Sequence, residues 1–402
     1  MCDGGDKEMC SAIPSISSKN EKCKKCRISP PVVTLRGNDV YCKECFLQNT
    51  THKFRASLGK SKLIRPDDKV LIAFSGGTSS SALLHLVQVG LFQDKHKKLR
   101  FDPFVLYVDE TPHIKPYVAL KEVTERLEST KIPYHVVKLN KSLASDINLN
   151  NKHSLTMDDN NLEQNLTSIL SKFESDTSRL DFIEKTRYNL YASVALTLSC
   201  KYIFLGDTCT TIAARILSNV ALGRGAHLPF DAAFADTRFD CVKILRPIKD
   251  FVNSEVLYYN LFNDIVPIKR NNKANVSVNS IQNLTEKFVN ELQENYPATV
   301  YSIVNTGSKL SPHEKLLTQS LCVICNAALD TNVDATSALH ATKLSKFMST
   351  VGPSNYSDHS IKVNELQRGR DFGKNVCYGC QLLVKDLSDD DIAELCAQID
   401  NI

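Results

Sequence analysis

The stretch that most constrains the fold is KVLIAFSGGTSSSALLHLV at residues 69–87. Its first part, VLIAF at 70–74, is a short continuous apolar run, which is typical of a strand buried on both faces. Residues 79–87 then have the composition of a helix, and two adjacent glycines lie in the turn between them. Backbone N–H groups at a helix start bind anions, most naturally phosphate. The stretch therefore predicts a strand, a glycine turn and a helix, either as an ordinary connection or as a phosphate site.

The turn differs from two well-known phosphate-binding motifs. A Walker A loop ends in Gly-Lys-Ser/Thr, and the dinucleotide fingerprint reads G-x-G-x-x-G. SGGTSS at 75–80 has neither order, and hydroxyl groups flank its glycines instead. The candidate phosphate-binding residues are Ser75, Gly76, Gly77, Thr78, Ser79 and Ser80.

Four cysteines near the start of the chain form two Cys-X-X-Cys pairs separated by 15 residues, 27–41. This spacing is typical of a four-thiolate zinc site, whose closed tetrahedron leaves no position open for chemistry. A metal would stabilise a module too small for a core of its own. The alternative is four unrelated cysteines. The predicted ligands are Cys23, Cys26, Cys42 and Cys45.

Two further Cys-X-X-Cys pairs lie near the C-terminus, separated by 51 residues, 326–376. Because that gap exceeds ordinary finger spacing, two interpretations stay open. The pairs share one zinc ion, or each pair is an incomplete site or a local redox pair. The predicted ligands are Cys322, Cys325, Cys377 and Cys380.

The basic charge of the chain is concentrated at one end. The net charge of the 402 residues is +4, whereas residues 1–65 hold 13 Lys/Arg against 6 Asp/Glu, a balance of 13 − 6 = +7. Such a bias indicates either a phosphate-rich partner or a solvated basic arm. The hydrophobic content of 42% is ordinary for a globular protein with a substantial core.

The sequence lacks the marks of export. Its first 15 residues contain no apolar run of signal-peptide length, and nowhere do 18 apolar residues run together. We therefore expect a cytoplasmic protein with no membrane segment. In that compartment 14 cysteines are thiols and metal ligands rather than a disulfide framework.

Apolar runs alternate with helical patterns over residues 61–270. Runs at 104–109, 134–139 and 201–205 follow the first strand, separated by helical spacing. This alternation predicts an α/β fold with a doubly wound parallel sheet, which binds ligands at the carboxyl ends of its strands. Asp109 and Glu110 stand at the carboxyl end of one such strand, where they either touch a ligand or cap a helix.

The rest of the chain is divided by composition. We expect a basic zinc module at 1–60, which runs into a basic linker at 52–65, and the α/β domain at 61–270. A polar insertion at about 140–178 interrupts that domain. A linker at 271–315 then leads to a zinc-ribbon-like module at 316–402.

SGGTSS resembles the PP-loop of the adenine-nucleotide α-hydrolase superfamily, whose usual form is SGGxDS. With the flanking cysteine pairs, a Gly-Asp turn at 206–207 and an Arg-Pro segment at 246–247, the chain resembles the cytoplasmic tRNA 2-thiolation protein 2 family. The resemblance implies a PP-loop ATPase-like sheet, ATP as a cofactor, and a last core helix opened by Pro247. It also implies that Asp207, Thr208 and Arg215 face nucleotide or tRNA, although Asp207 is alternatively a helix cap.

The resemblance further implies a function. Family members work in 2-thiolation of the wobble uridine of tRNAs for lysine, glutamate and glutamine, on the path to 5-methoxycarbonylmethyl-2-thiouridine. The implied partners are tRNA, a thiocarboxylated ubiquitin-related modifier as sulfur donor, and a catalytic PP-loop paralogue in a heterodimer.

Two departures indicate an accessory subunit rather than a catalytic one. Ser79 stands where the usual motif has an acid, and the core cysteines Cys200, Cys209 and Cys241 form no Cys-X-X-Cys pair. The competing hypotheses are an independent ATP-dependent tRNA-modifying enzyme and a zinc-ribbon RNA-binding adapter with a vestigial nucleotide loop.

Overall fold

A six-stranded, mostly parallel sheet forms the centre of the fold in this computed structural model. The structure describes residues 22–35, 39–92, 98–114, 119–144, 147, 149, 157–239, 241–268, 279–311, 320–329, 342, 346, 376–385, 387–388 and 391–392. The strands are β1 Val33–Thr34, β2 Val40–Tyr41, β3 Lys69–Ala73, β4 Asp102–Asp109, β5 Tyr134–Lys138, β6 Tyr202–Phe204, β7 Ala235–Asp236 and β8 Lys243–Leu245.

The strands are connected by helices, as a doubly wound sheet requires. The α-helices are α1 Lys43–Ser61, α2 Thr78–Leu91, α3 Leu120–Ser129, α4 Met157–Ser171, α5 Asp176–Thr197, α6 Cys209–Ala221, α7 Leu228–Ala232, α8 Asn253–Phe262, α9 Ile281–Asn295, α10 Pro297–Lys309 and α11 Tyr378–Leu383. Short 3₁₀ helices lie at Leu139–Leu143 and Gly225–His227.

The sheet runs in the order β5-β4-β3-β6-β8-β7, with only the edge strand β7 antiparallel. From β3 the chain first builds outward through β4 to β5, and it then returns to place β6 on the other side of β3. The order therefore reverses between β3 and β6, and a crevice opens beyond the carboxyl ends of these two strands. The predicted doubly wound parallel sheet is confirmed.

Strand β3 is buried on both faces, as its apolar run predicts. Leu71 and Ala73 pack in one core cluster, with helices α4 and α5. Val70 and Ile72 pack in the other, with helices α1, α2, α3 and α8. All four side chains are at most 6% exposed, so helices cover both faces of the sheet.

The segment that we expected to be a basic linker, 52–65, is instead largely part of α1, which ends at Ser61. Phe46, Thr50, Phe54 and Leu58 are buried at a spacing of four residues. This row packs the helix onto the core that β3 shares with α2. The expectation was wrong because the lysines and arginines that suggested a linker occupy the other faces of the helix.

The segment 271–315, which we interpreted as a linker, contains the two helices α9 and α10. Val289, Val300 and Val304 are buried against α6 in a third apolar cluster. A helical apolar spacing that includes Leu292 was hidden by the polar composition of the segment. The boundaries of the four predicted domains remain a prediction.

Pro247 does not open a helix, contrary to the expectation from the Arg-Pro segment. It begins a turn, which is closed by hydrogen bonds from Lys249 N to the Arg246 carbonyl (3.2 Å) and from Phe251 N to the Ile248 carbonyl (3.0 Å). The chain needs these turns to leave the sheet, so α8 starts only at Asn253.

No helix in the part of the chain that the structure describes is long and apolar enough to span a bilayer.

Candidate nucleotide pocket and cysteine centres

A cavity of about 560 Å³ occupies the crevice between the carboxyl ends of β3 and β6. The glycine turn forms one wall and helix α5 forms another, while α6 and α9 contribute the side chains of Arg215 and Glu286. Its lining consists of Ala73, Ser75, Gly77, Thr78, Ser79, Ser80, Glu184, Arg187, Tyr188, Tyr191, Leu205, Gly206, Asp207, Thr211, Arg215, Asn253, Leu257 and Glu286. A cleft at this point of a doubly wound sheet is the usual ligand site of such folds.

Five of the six predicted phosphate residues therefore line the pocket, whereas Gly76 lies against Ile268 and does not line it. Gly76 has φ +76°, a backbone conformation that favours glycine. The Ser75 and Ser80 hydroxyls hydrogen-bond each other at 3.1 Å. Because α2 begins at Thr78, its first N–H groups lack partners within the helix and are available to an anion.

Gly206 brings β6 close to the start of α2. A Cβ at Gly206 would lie 3.0 Å from the backbone nitrogen of Ser80 and 3.1 Å from its Cα. Any larger residue would push the two elements apart and widen the crevice. The Gly-Asp turn therefore sets the distance between the glycine turn and Asp207.

Asp207 is held in ion pairs rather than capping a helix. Its carboxylate accepts hydrogen bonds from Arg215 at 2.6 and 3.1 Å and from Arg246 at 3.1 Å. Burial raises the pKa of Asp207, but the two guanidinium groups outweigh it and hold the pKa below its usual range. The cap of α6 is Thr208, whose hydroxyl accepts from Thr211 N at 3.2 Å.

Sequence reasoning missed the wall that α5 contributes. Glu184, Arg187, Tyr188 and Tyr191 line the cavity from one face of this helix, at spacings of three and four residues. Burial raises the pKa of both tyrosines, which keeps them neutral hydrogen-bonding groups. Their helical spacing could have shown that these four side chains share one face of α5. It could not have shown that this face lines a cavity.

Arg187 is fixed by Glu110, the residue that follows β4, through an ion pair. Glu110 therefore supports the pocket and caps none of the helices that the structure describes, whereas Asp109 accepts a hydrogen bond from Thr111 N (3.0 Å) and stabilises a turn. The pocket presents N–H groups and hydroxyls on one side, while on the other its two arginines are paired with carboxylates and Glu286 adds a further one. The N–H and hydroxyl side suits a phosphate group.

The N-terminal cysteines converge as predicted. The sulfur atoms of the four residues all lie within 4.8 Å of one another, and those of Cys26 and Cys42 are 3.9 Å apart. Zn–S bonds of about 2.3 Å in a tetrahedron place sulfur atoms about 3.8 Å apart. The geometry therefore fits one metal ion. The quartet is Cys23, Cys26, Cys42 and Cys45, beside the antiparallel pair β1 and β2.

The C-terminal pairs also converge, despite the long gap between them. All four sulfur atoms lie within 4.8 Å of one another, and those of Cys325 and Cys377 are 3.7 Å apart. This favours the interpretation in which both pairs share one ion. The quartet Cys322, Cys325, Cys377 and Cys380 is fully buried and belongs to the apolar cluster under the sheet.

The three other described cysteines form no such group. Cys200 is buried, Cys209 is buried at the start of α6, and Cys241 is exposed. Burial raises the pKa of the Cys200 thiol to about 11, which suppresses the reactive thiolate. Within the described ranges, only the two quartets bring three or more potential metal ligands together.

Solved structures and relatives resemble this arrangement. The U34-tRNA thiolase NcsA from Methanococcus maripaludis, solved with its 4Fe-4S cluster, matches with a TM-score of 0.53 at 20% identity and covers 80% of this chain and 96% of its own. At that identity the likeness shows the fold alone. A Xenopus laevis protein named cytoplasmic tRNA 2-thiolation protein 2-B is 30% identical over 98% of this chain and 93% of its own length.

The chain belongs to the cytoplasmic tRNA 2-thiolation protein 2 family. An Anopheles gambiae member is 33% identical over 92% of this chain and 93% of its own. The model of the family matches residues 280–382, a segment that includes α9, α10 and the C-terminal quartet. The family resemblance drawn from SGGTSS and the cysteine pairs is confirmed, and so are the PP-loop fold and its two flanking cysteine centres.

Proposed function

We propose that this family member is an accessory subunit of a tRNA thiolation complex. It serves the 2-thiolation of the wobble uridine of tRNAs for lysine, glutamate and glutamine, and it acts in the cytoplasm, the location that its relatives' names carry. A catalytic PP-loop paralogue forms a heterodimer with it and transfers sulfur from a thiocarboxylated ubiquitin-related modifier.

The observation that carries this proposal is the pocket itself. It has the fold of a PP-loop protein and a glycine turn at a helix start. Ser79 stands where the usual motif has an acid, and the Asp207 carboxylate is ion-paired with Arg215 and Arg246. A divalent ion that accompanies ATP would find no free carboxylate at either position. The loop would at most hold phosphate groups, through the N–H groups and hydroxyls at the start of α2.

The cysteines support the same division of labour. Cys200 is buried and Cys241 is exposed, and no pair of core cysteines among the described residues faces the pocket together. Sulfur transfer needs a thiolate, and the partner subunit would provide it. This chain would contribute binding surface and shape.

Zinc is the ion that we propose for both quartets. Four thiolates at tetrahedral spacing fit it, and such closed sites stabilise structure rather than perform chemistry. In this chain the N-terminal ion would hold β1 and β2 beside α1, and the C-terminal ion would join two segments that are far apart in sequence.

A second candidate is an RNA-binding adapter with a vestigial loop. It is favoured by the exposed basic residues around the N-terminal quartet, which could contact RNA phosphates. These residues are Lys22, Lys24, Lys25, Arg27 and Lys43. An adapter would bind RNA in a salt-dependent manner that substitutions at Gly76 or Gly77 leave unchanged.

Reconstitution separates these functions. Purified chain alone should thiolate no tRNA, whereas mixing it with the catalytic paralogue, the thiocarboxylated modifier and ATP should produce 2-thiouridine. Gly77→Asp should reduce that yield, because a carboxylate at the N-cap of α2 would repel the ligand's phosphate groups, and Asp264→Asn, an exposed substitution, should not. Thiolation by this chain alone would refute the accessory role, and an undiminished yield with Gly77→Asp would favour the adapter.

A further inference from the structure

A buried arginine connects the C-terminal cysteine centre to the body of the protein. Arg224 lies just beyond the end of α6 and is 2% exposed. Its Nη2 atom lies 3.3 Å from the Gly379 carbonyl oxygen and 3.9 Å from the Cys380 sulfur. One guanidinium edge therefore faces the second Cys-X-X-Cys pair from inside the core.

The same guanidinium is held from the other side by Asp181 on α5. Two hydrogen bonds of 2.9 and 2.5 Å join them, and Asp181 is also 2% exposed. A bidentate, buried pair of this kind fixes the plane of the guanidinium group. Arg224 therefore has a defined orientation toward Cys380.

Gly379 makes the close approach possible. A Cβ at this position would lie 2.4 Å from Cγ of Arg224 and 2.9 Å from its Nε. The glycine between the two cysteines of this pair therefore leaves room for the arginine stem. The second Cys-X-X-Cys pair can therefore pack directly against the arginine side chain.

Asp181 also belongs to a row of charges that reaches the nucleotide pocket, which we call the ion-pair row. Lys185 lies 3.7 Å from Asp181, and its neighbour Glu184 lies 3.4 Å from Arg215, which in turn holds Asp207. The complete row is Arg224, Asp181, Lys185, Glu184, Arg215 and Asp207. Its side chains are at most 24% exposed, so their interactions are little screened by solvent.

We propose that Arg224 is a positioning residue of the C-terminal metal centre, where it donates to the Cys380 thiolate and, through Asp181, ties the centre to the pocket wall on α5. A thiolate of a metal-bound quartet carries negative charge into the core, and Arg224 supplies the hydrogen bond and the counter-charge. A movement of the metal centre is then transmitted through Arg224 and Asp181 to α5, the helix on which Glu184 lines the pocket. This inference does not depend on the proposed role in tRNA thiolation.

The test uses full-length, zinc-loaded protein and a chromogenic zinc chelator. Arg224→Met should speed zinc release from the C-terminal centre by about 10–100-fold, the usual effect of losing a hydrogen-bond partner of a metal ligand. The phase from the N-terminal centre should not change, and Cys322→Ser identifies which phase is which. Arg179→Met is the matched control. Arg179 lies on α5, the helix that carries Asp181, but its side chain is 44% exposed.

Two further readouts distinguish positioning from general stability. In cobalt-substituted protein, the thiolate-to-cobalt absorption band should shift in Arg224→Met and return toward the wild-type position in Arg224→Lys, which keeps the charge. Hydrogen–deuterium exchange should rise in Arg224→Met at residues 184–191 but not in α3. Unchanged zinc release with an unshifted band would overturn the hydrogen bond to Cys380, and unchanged exchange at 184–191 would overturn the tie to the pocket. If the methionine variant does not fold, Arg224→Gln, which also removes the charge, carries the same tests.

Discussion

Arg215 donates two hydrogen bonds to the Asp207 carboxylate beside the glycine turn, from Nη1 to Oδ2 at 2.6 Å and from Nη2 to Oδ1 at 3.1 Å. The family resemblance implies that Asp207 faces nucleotide or tRNA, and in the structure its carboxylate holds Arg215. Because Arg246 adds a third hydrogen bond from a fully buried side chain, the carboxylate has two cationic partners. Asp207 therefore shapes the pocket by holding Arg215 against its wall.

Asp207→Asn should destabilise the protein strongly. The substitution leaves Arg215 and Arg246 without their shared counter-ion, and breaking a buried ion pair costs about 3–5 kcal/mol. The free energy of unfolding, measured by urea titration, should fall by that amount. Asp264→Asn is the control, because Asp264 is exposed with φ +54°, a conformation that asparagine tolerates. Equal stability of the two variants would contradict the counter-ion role.

Stability should depend on the ionisation of Asp231, which pairs with Arg238 at 2.6 Å. Burial raises the pKa of Asp231, but the nearby cations, above all Arg238, lower it to about 2. The unfolded pKa is about 3.9, so the charged form adds about 2–3 kcal/mol above that pH. This stabilisation is lost as the pH falls from about 5 toward the folded pKa.

The measurement for Asp231 is a pair of urea titrations over this pH range, on wild type and on Asp231→Asn. The difference between their free energies of unfolding should be largest at pH 7 and should shrink steadily below pH 5. Loss of metal at low pH affects both proteins and cancels in the difference. A difference that stays constant down to about pH 2 would show that the charge of Asp231 is not what stabilises the fold.

The elements along the strand-turn-helix stretch were predictable because local patterns alone determine them. The apolar run of β3, the glycines after it and the helix that follows lie within 23 residues of sequence, Lys69–Ala73 to Thr78–Leu91. The cysteine spacing likewise predicted the N-terminal quartet, whereas it left a shared C-terminal site as one of two interpretations. The polar pattern of 271–315 hid α9 and α10, because these helices bury only narrow apolar faces against α6.

The charged part of the site was beyond sequence reasoning for another reason. Glu110 and Arg187 are 77 residues apart, and Asp207 and Arg246 are 39 apart, so only the folded sheet brings each pair together. A single sequence shows which residues are charged but not which of them are paired. Asp207 lines the pocket, and its contact with nucleotide or tRNA stays a prediction, whereas its engagement by two arginines was not foreseeable.

The two cysteine centres should differ in what their metals stabilise. The C-terminal quartet shares an apolar cluster with the sheet, while the N-terminal quartet forms a small cluster of its own. Cys322→Ser should therefore lower the thermal midpoint of the main unfolding transition by about 10 °C or more, since a structural zinc site contributes about 10–16 kcal/mol and each kcal/mol moves the midpoint of a 402-residue chain by about 1 °C. Cys23→Ser should leave that transition nearly unchanged.

Metal analysis provides the control for this comparison. Wild type should bind two equivalents of zinc and each variant one, so the two substitutions remove the same amount of metal. Calorimetry then compares their unfolding transitions. Similar losses of thermal midpoint in both variants would contradict the unequal roles of the centres.

Ser79→Asp should restore the carboxylate that the usual PP-loop motif carries. Ser79 lines the pocket at the first turn of α2, where a carboxylate would face both the helix dipole and the ligand's metal ion. We expect magnesium-dependent ATP binding at least about tenfold tighter than wild type, a gain of about 1.4 kcal/mol. Isothermal titration calorimetry with and without magnesium measures it.

Thr78→Asp is the matched control, because it adds the same charge one residue earlier in the same loop. It should not confer magnesium-dependent binding. If both variants gain affinity for ATP in the presence of magnesium, or if neither does, then the serine at position 79 is not what weakens magnesium-dependent ATP binding.

A role in tRNA thiolation is tested by the 2-thiouridine content of bulk tRNA, measured by nucleoside mass spectrometry in cells depleted of this protein and then supplied with it again. We predict that the thiolated wobble nucleoside disappears on depletion and returns with the wild-type chain, while other tRNA modifications stay at their normal levels. An unchanged level of 2-thiouridine after depletion would contradict a role for this protein in tRNA thiolation.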